Sequence, residues 1–288
     1  METVSTKLRT GSNMLIHPKD RRRKIPLRIL AAFAAAIFFT WPAKDACAQN
    51  RPQLTVLYDN YPSKNGLIAM NGFSCLIRGT EKAILFDTGE RENVLLYNMR
   101  TLKINPAAVD IIMISHDHAD HTGGLLSILA ANKEARVFLP DGFSDFDLLQ
   151  RIQAFGARTF LVKQPTQLCK DVFSTGPMQG HGLYEQSLVI KGPSGLTLLC
   201  GCAHPGIANI MEKSMTLFHK RVVYVLGGFH LSSASETAIS DTIRSFVAFG
   251  VAGVGAAHCS GAEMVLSLQA IYGPKYIQMG VGRTIALQ

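Results

Sequence analysis

The run from Ser115 to Gly124, Ser-His-Asp-His-Ala-Asp-His-Thr-Gly-Gly, constrains this chain more than any other feature. Its core packs three histidines and two aspartates into six residues, between an apolar run at 109–114 and a pair of glycines. An apolar run of that length, following Pro106, predicts a short buried strand. Imidazoles and carboxylates therefore crowd onto one strand end. In an extended or turning backbone His116 and His118 point the same way and can clamp one ion, while Asp120 and His121 can face a second site close by. Gly123 and Gly124 allow close backbone approach and let a helix start directly behind the loop. Imidazole nitrogen with carboxylate oxygen suits zinc, iron, manganese or nickel. The competing reading is a solvated polar loop, but histidines packed this densely behind an apolar strand seldom arise without a metal.

Four local ligands cannot complete two metal shells, so further donors must arrive from distant loops. Three later histidines each follow an apolar run: His204 in Gly201-Cys202-Ala203-His204-Pro205-Gly206, His230 in Gly228-Phe229-His230-Leu231, and His258 in His258-Cys259-Ser260-Gly261. Singly, each could be a core histidine with its hydrogen bonds met. Their shared setting of small residues, histidine and then a helical pattern favours a site. His219, beside Lys220 and Arg221, reads as solvated, and His181 is left open. Cys75, Cys169, Cys200, Cys202 and Cys259 are an odd number that cannot all pair within one chain. They read mainly as core thiols, with Cys200 and Cys202 on one face if that segment is extended.

Hydrophobic residues make up 47% of the 288, enough for a large core. Strands are predicted at 54–58, 67–77, 83–86, 109–114, 137–139, 187–190, 196–199, 222–226 and 251–255, and helices at 92–102, 125–132, 207–218, 236–249 and 261–272. Two strand-rich halves flanked by helices predict stacked sheets covered by helices, an α+β architecture in one domain over 49–288. Residues 1–48 carry nine Lys/Arg against three Asp/Glu, and the remainder 20 against 18, so the net charge of +8 sits mostly in the first segment. That is poor support for nucleic-acid binding, which needs a basic surface on the folded domain. Arg21-Arg22-Arg23-Lys24, the apolar run 29–41 and Ala46-Cys47-Ala48 form a basic, apolar and cleavable series. It predicts a signal peptide over 1–48 and export to the periplasm or medium. The run is short of the ~20 residues that span a bilayer, so membrane attachment would come only through an uncleaved leader.

The 115–124 run resembles the S-H-x-H-x-D-H-x-G-G signature of the metallo-β-lactamase superfamily. Phe86-Asp87-Thr88-Gly89 is similar to its earlier strand-turn motif. The later histidine segments resemble the branch labelled 7,8-dihydropterin-6-methyl-4-(β-D-ribofuranosyl)-aminobenzene-5'-phosphate synthase or metal-dependent hydrolase. The resemblance implies a four-layer αββα sandwich. It puts His116, His118 and His204 on one metal, and Asp120, His121 and His258 on another, with Asp87 orienting the ligand loop. Many members carry a bridging aspartate where this chain has Gly227-Gly228-Phe229-His230. His230 is then either a ligand, a substrate contact or a proton donor, and Asp120 both binds metal and orients water. The implied cofactor is one or two divalent ions, zinc first, with Mn2+, Fe2+ or Mg2+ as alternatives. The implied chemistry is attack by a metal-bound hydroxide on a small ester, lactone, amide or phosphoester. Two alternatives are a synthase-like transferase and a non-catalytic metal-binding protein.

Overall fold

The computed structural model describes residues 51–287. The signal-peptide reading for 1–48 lies outside them. Strands β1 (Gln53–Tyr58), β2 (Ser74–Arg78), β3 (Ile84–Phe86), β4 (Ile111–Met113), β5 (Arg136–Pro140) and β6 (Thr159–Val162) build a first sheet. Next come β7 (Thr166–Cys169) and β8 (Val172–Ser174), a hairpin of β9 (Met178–Gly180) and β10 (Leu183–Glu185), then β11 (Leu188–Lys191), β12 (Leu196–Cys200), β13 (Val222–Gly227), β14 (Gly253–Ala256) and β15 (Thr284–Ala286). The first sheet runs β15-β1-β2-β3-β4-β5-β6 and the second β14-β13-β12-β11-β8-β7. The helices are α1 (Glu92–Thr101), α2 (Ala119–Thr122), α3 (Leu125–Ala131), α4 (Phe146–Ala154), α5 (Ile207–Phe218), α6 (Glu236–Ala248) and α7 (Ala262–Tyr272).

Strand alternation sorts the core into layers. In β2, β3 and β4 the residues Cys75, Ile77, Ile84, Phe86, Ile111 and Met113 face the second sheet, where they meet Val172, Leu188, Ile190, Leu199 and Leu226. The residues between them, Leu76, Leu85 and Ile112, point the other way, onto Leu95, Met99, Ile128, Leu129, Leu148 and Ile152 of α1, α3 and α4. In the second sheet Val189, Leu198, Val225 and Val254 face Ile207, Ile210, Met211, Ile239, Phe246, Met264 and Leu268 of α5, α6 and α7. The result is the αββα sandwich, with a dry sheet-to-sheet layer at its centre.

Two departures from the sequence reading matter. The predicted strand at 67–77 forms only from Ser74 onward, because Asn71-Gly72 bends against the ligand loop. Gly72 has φ +129°, and a Cβ there would lie 2.5 Å from the Asp120 carbonyl oxygen. The segment 141–185, whose apolar residues keep no buried period over its short runs, holds α4 and the strands β6–β10.

β3, β4, β5 and β6 are parallel, as are β12, β13 and β14. Their carboxyl ends share one edge of the sandwich, the place where open parallel sheets gather ligands. Asp87 follows β3, His116 follows β4, His204 follows β12, His230 follows β13 and His258 follows β14.

Candidate metal centre

The ligand loop is pinned before any ion is considered. Asp87, itself in the left-handed region at φ +55°, is fully buried. Its Oδ1 accepts the Ser115 N–H at 2.7 Å, and its Oδ2 accepts the Ser115 hydroxyl at 2.7 Å. The His121 carbonyl accepts from the Thr88 N–H and hydroxyl, at 2.7 and 2.9 Å. The backbone is extended at His118 (φ −68°, ψ 143°) and turns helical at Ala119. The loop is thus not extended throughout, and that turn carries His121 inward to Asp87.

Ring-proton accounting then shows what the histidines are set to do. His121 Nδ1 lies 2.8 Å from Asp87 Oδ2. His204 Nδ1 lies 2.8 Å from Glu185 Oε2, and His258 Nδ1 lies 2.9 Å from the amide oxygen of Asn60. His116 Nδ1 lies 2.9 Å from Ser115 Oγ, whose own proton goes to Asp87. The Nδ1 atoms of His116, His121 and His204 face acceptors, which assigns the ring proton there and turns each Nε2 to the metal side. His258 Nδ1 also takes the Gly72 N–H at 3.3 Å, and its Nε2 faces Asp120. The Nε2 atom of His204 is buried and has no hydrogen-bond partner. A buried unsatisfied acceptor costs about 1–3 kcal/mol, so the bare His204 nitrogen beside the His116 and His118 rings calls for a cation. Locking the outer nitrogen of a ligand histidine to a carboxylate or carbonyl is how metal sites fix their rings.

The imidazoles fall into two touching groups. The rings of His116, His118 and His204 are 4.7–5.1 Å apart between centroids, and His116 Nε2 lies 3.2 Å from His118 Nδ1. His121 and His258 are 5.0 Å apart, and Asp120 Oδ2 stands 3.2 Å from His258 Nε2 and 3.9 Å from His121 Nε2. His116 and His121, 4.2 Å apart, join the groups. The structure thus brings together all six residues read from sequence as metal ligands. His230 is exposed at the mouth, 4.5 Å from the His204 ring and 5.1 Å from His181. His219 is exposed at the end of α5, away from this group.

Burial and the neighbouring His121 push His116 down to about 3. Burial, with His258 close by, does the same to His121, again to about 3. Burial alone would raise Asp120 and Glu185. Hydrogen bonding to His258 and to His204 respectively outweighs it, so both carboxyls stay below the usual carboxylate range. Burial pushes Asp59 up to about 6 and Asp87 up to about 7.

These directions predict an acid-unfolding profile for the metal-free chain. As pH falls from 7 to 4, Asp59 and Asp87 take up protons in the folded state ahead of their ordinary 3.8, which favours folding. Over the same range His116 and His121 stay neutral when folded but charge from 6.5 when unfolded, which opposes it. The two pairs offset, and His230 and His258, both raised, take up protons early in the folded state and tilt the balance toward folding. Below about 4 the unfolded state also protonates its counterparts of Glu185 and Asp120 while the folded state resists. The urea midpoint in EDTA should hold or rise slightly from pH 7 to 4.5 and drop steeply below 4. A steady decline between 7 and 5 would contradict this balance.

Several residues at the cleft were not singled out from sequence. Glu185, at the end of β10, is charged and buried, and falls outside every strand and helix predicted from sequence. Asn60 follows β1. The reading of all five cysteines as core thiols fails for two. Strand β12 ends at Cys200, which joins the helix-side core, while Cys202 lies beyond a turn, with its Sγ 3.3 Å from His121 Nε2. Cys259 Sγ is 3.2 Å from Cys202 Sγ. Hydrogen bonding with Cys202 and with His230 holds the Cys259 thiol well below its ordinary range. The dyad Cys202 and His204, two apart before Pro205-Gly206, was the signal available. The cleft itself is small, about 210 Å³, so it admits the reacting end of a substrate rather than the whole.

A sandwich of two mixed sheets with convergent imidazoles at its strand ends defines a class of metal-dependent proteins, and comparison agrees. Residues 68–137 match the family model for the metallo-beta-lactamase superfamily. Over 257 residues the chain is 32% identical to the 7,8-dihydropterin-6-methyl-4-(beta-D-ribofuranosyl)-aminobenzene-5'-phosphate synthase of Methanocaldococcus jannaschii, covering 73% of this chain and 87% of the relative. The crystal structure of a metal-dependent hydrolase of the beta-lactamase superfamily superposes with a TM-score of 0.69 at 27% identity, covering 82% of this chain and 99% of the other. A diphosphatase of the PhnP family, at 14% identity and a TM-score of 0.55 over 83% of this chain and 98% of its own, shares the fold. The chain belongs to the metallo-beta-lactamase superfamily. Membership implies a divalent metal and supports an enzyme.

Proposed function

We propose that this chain is a metal-dependent hydrolase of a small ester, lactone, amide or phosphoester. The observation that carries the reading is the buried, partnerless Nε2 of His204 in a cleft lined by His118, Asp120 and His258, with the His116 and His121 rings packed against them. His116, His118 and His204 would hold one divalent ion, and Asp120, His121 and His258 a second. Zinc is the first expectation, and Mn2+, Fe2+ or Mg2+ the alternatives. Such an ion supplies Lewis acidity, acidifying water and polarising an acceptor oxygen.

The chain's own groups divide the remaining work. Asp120, kept ionised, orients the attacking water with Oδ2. Asp87 holds His121 in one ring orientation. His230 stands at the mouth with its pKa raised by Cys259, so near neutrality it can carry a proton to a leaving group or meet an anionic substrate. The leader reading belongs to the same proposal: an exported enzyme with a small-molecule substrate and no nucleic-acid partner.

Synthase-like transfer is the second reading, and the 32% identity to a synthase favours it. Both are tested on one preparation of the zinc-loaded chain, offered an ester, lactone and phosphoester panel beside a dihydropterin diphosphate with a ribofuranosylaminobenzene phosphate. Hydrolysis that EDTA abolishes and zinc restores is the expected result. Condensation without hydrolysis would move the assignment to transfer. Turnover indifferent to EDTA would remove the metal from either reading, and tight metal binding with no turnover would leave a binding protein.

A further inference from the structure

One donor sits between the two imidazole groups, and it is a sulfur. Among the described residues three sets of side chains place candidate ligand atoms within 4.8 Å of one another: His116 with Cys202 and His204, His121 with Cys202 and His258, and Cys202 with His230 and Cys259. Cys202 belongs to every set. No imidazole or carboxylate is shared among them.

The sulfur is held there. The Cys202 N–H donates to Glu185 Oε1 at 2.9 Å, the carboxylate that also orients His204. Gly201, just before it, is locked in place, since a Cβ there would lie 2.2 Å from Ser115 Oγ. Nor can another side chain enter from β13: a Cβ on Gly228 would lie 2.7 Å from Cys259 Sγ and 2.3 Å from the Gly201 carbonyl oxygen. Packing does not explain the placement. Buried Cys75 and Cys200 each sit inside an apolar cluster. Cys202 is only 3% exposed, yet its side chain faces His121 Nε2 and the second thiol. A buried sulfur within reach of ring nitrogens from both histidine groups is placed as a ligand.

We propose that Cys202 Sγ is a metal ligand shared between the two histidine groups, as a thiolate whose proton leaves to solvent when metal binds. The assignment rests on the metal-centre reading above and sharpens it. A thiolate in the set favours zinc, ferrous iron or cobalt over magnesium or manganese, which prefer oxygen donors. Cys259, 3.2 Å away, takes the His230 N–H on its sulfur, and its own set joins it only to Cys202 and the exposed His230.

The test is cobalt(II) titration of the apo chain under anaerobic, reducing conditions. A near-ultraviolet thiolate-to-cobalt charge-transfer band should grow with added cobalt, vanish in Cys202→Ser and persist in Cys259→Ser. In the same variants, the preference for zinc over manganese, measured by competition, should fall at least tenfold only in Cys202→Ser. Stoichiometric cobalt binding by the wild-type chain without that band would overturn the sulfur assignment and leave the histidine centre standing. A band lost in Cys259→Ser but kept in Cys202→Ser would overturn it as well. Failure to bind cobalt at all would sink both readings. Because the wild-type spectrum alone can refute the proposal, a variant that misfolds does not shield it.

Discussion

A His116→Ala chain is expected to purify with markedly less bound metal than the wild type and to lose turnover by about a thousandfold or more, since several kcal/mol of metal-derived stabilisation disappear with the ion. The size of the effect follows from where the ring sits. His116 is fully buried and is the imidazole that touches both groups, with His118 and His204 on one side and His121 on the other. Its Nδ1 is spent on Ser115, which leaves Nε2, 3.2 Å from His118 Nδ1, as the atom that can take a metal. A purely structural histidine would give a different result: loss of some stability with metal content and turnover retained by the folded fraction. His219→Ala is the control, an exposed residue ending α5, and it should change neither quantity. Elemental analysis of both purified variants beside the wild type checks the metal, and turnover per folded molecule checks the rest. Full metal occupancy in folded His116→Ala would remove the dinuclear histidine reading.

The same substitution should also make the metal-free chain less sensitive to acid. His116 is held neutral down to about 3 by burial and by His121. Removing it abolishes one proton that the unfolded state gains and the folded state refuses.

What the sequence disclosed, and what it hid, divides along a physical line. The six residues that meet at the cleft were legible because His116 to His121 follow one apolar run and His204 and His258 follow two others, and a parallel strand of that kind ends on the same edge as its neighbours. Layering was legible too, since β2, β3 and β4 alternate Cys75, Ile77, Ile84, Phe86, Ile111 and Met113 toward one face and Leu76, Leu85 and Ile112 toward the other. The region 141–185 was not. Its strands run three or four residues, and β6 exposes Phe160 and Leu161 by 43% and 49%, so no buried period marks it. Residues that act on a ligand rather than on a metal were hidden for a deeper reason. Glu185 is set apart only by the four donors that surround it, and those come from a turn 17 residues or more away in the chain. Cys202 looked like any buried thiol because sequence does not say whether a sulfur faces leucines or imidazoles.

Glu185→Gln should weaken metal binding by about 10–100-fold, the usual effect of losing a group that orients a ligand histidine, while leaving the chain folded. The carboxylate is buried and accepts from four donors: the Cys202 and Ala203 N–H groups on Oε1, each at 2.9 Å, and the His204 N–H and Nδ1–H on Oε2, each at 2.8 Å. A carboxylate can take all four because both oxygens only accept. An amide cannot. With its oxygen kept on Cys202 and Ala203, its NH2 faces His204, where it meets one N–H it cannot pair and a ring nitrogen it can donate to only if the ring proton moves to Nε2. That tautomer blocks the atom now bare in the cleft. Glu185→Leu removes the acceptor altogether and strands four buried donors, so it should cost the fold about 3–5 kcal/mol, the range for breaking a buried charged pair. The two variants separate orientation from stability: chelator competition reads the first, urea unfolding the second, and nitrogen-15 shifts of the His204 ring report the tautomer. Wild-type metal affinity in Glu185→Gln, with the His204 proton still on Nδ1, would mean that the turn itself, rather than the carboxylate, holds the ring.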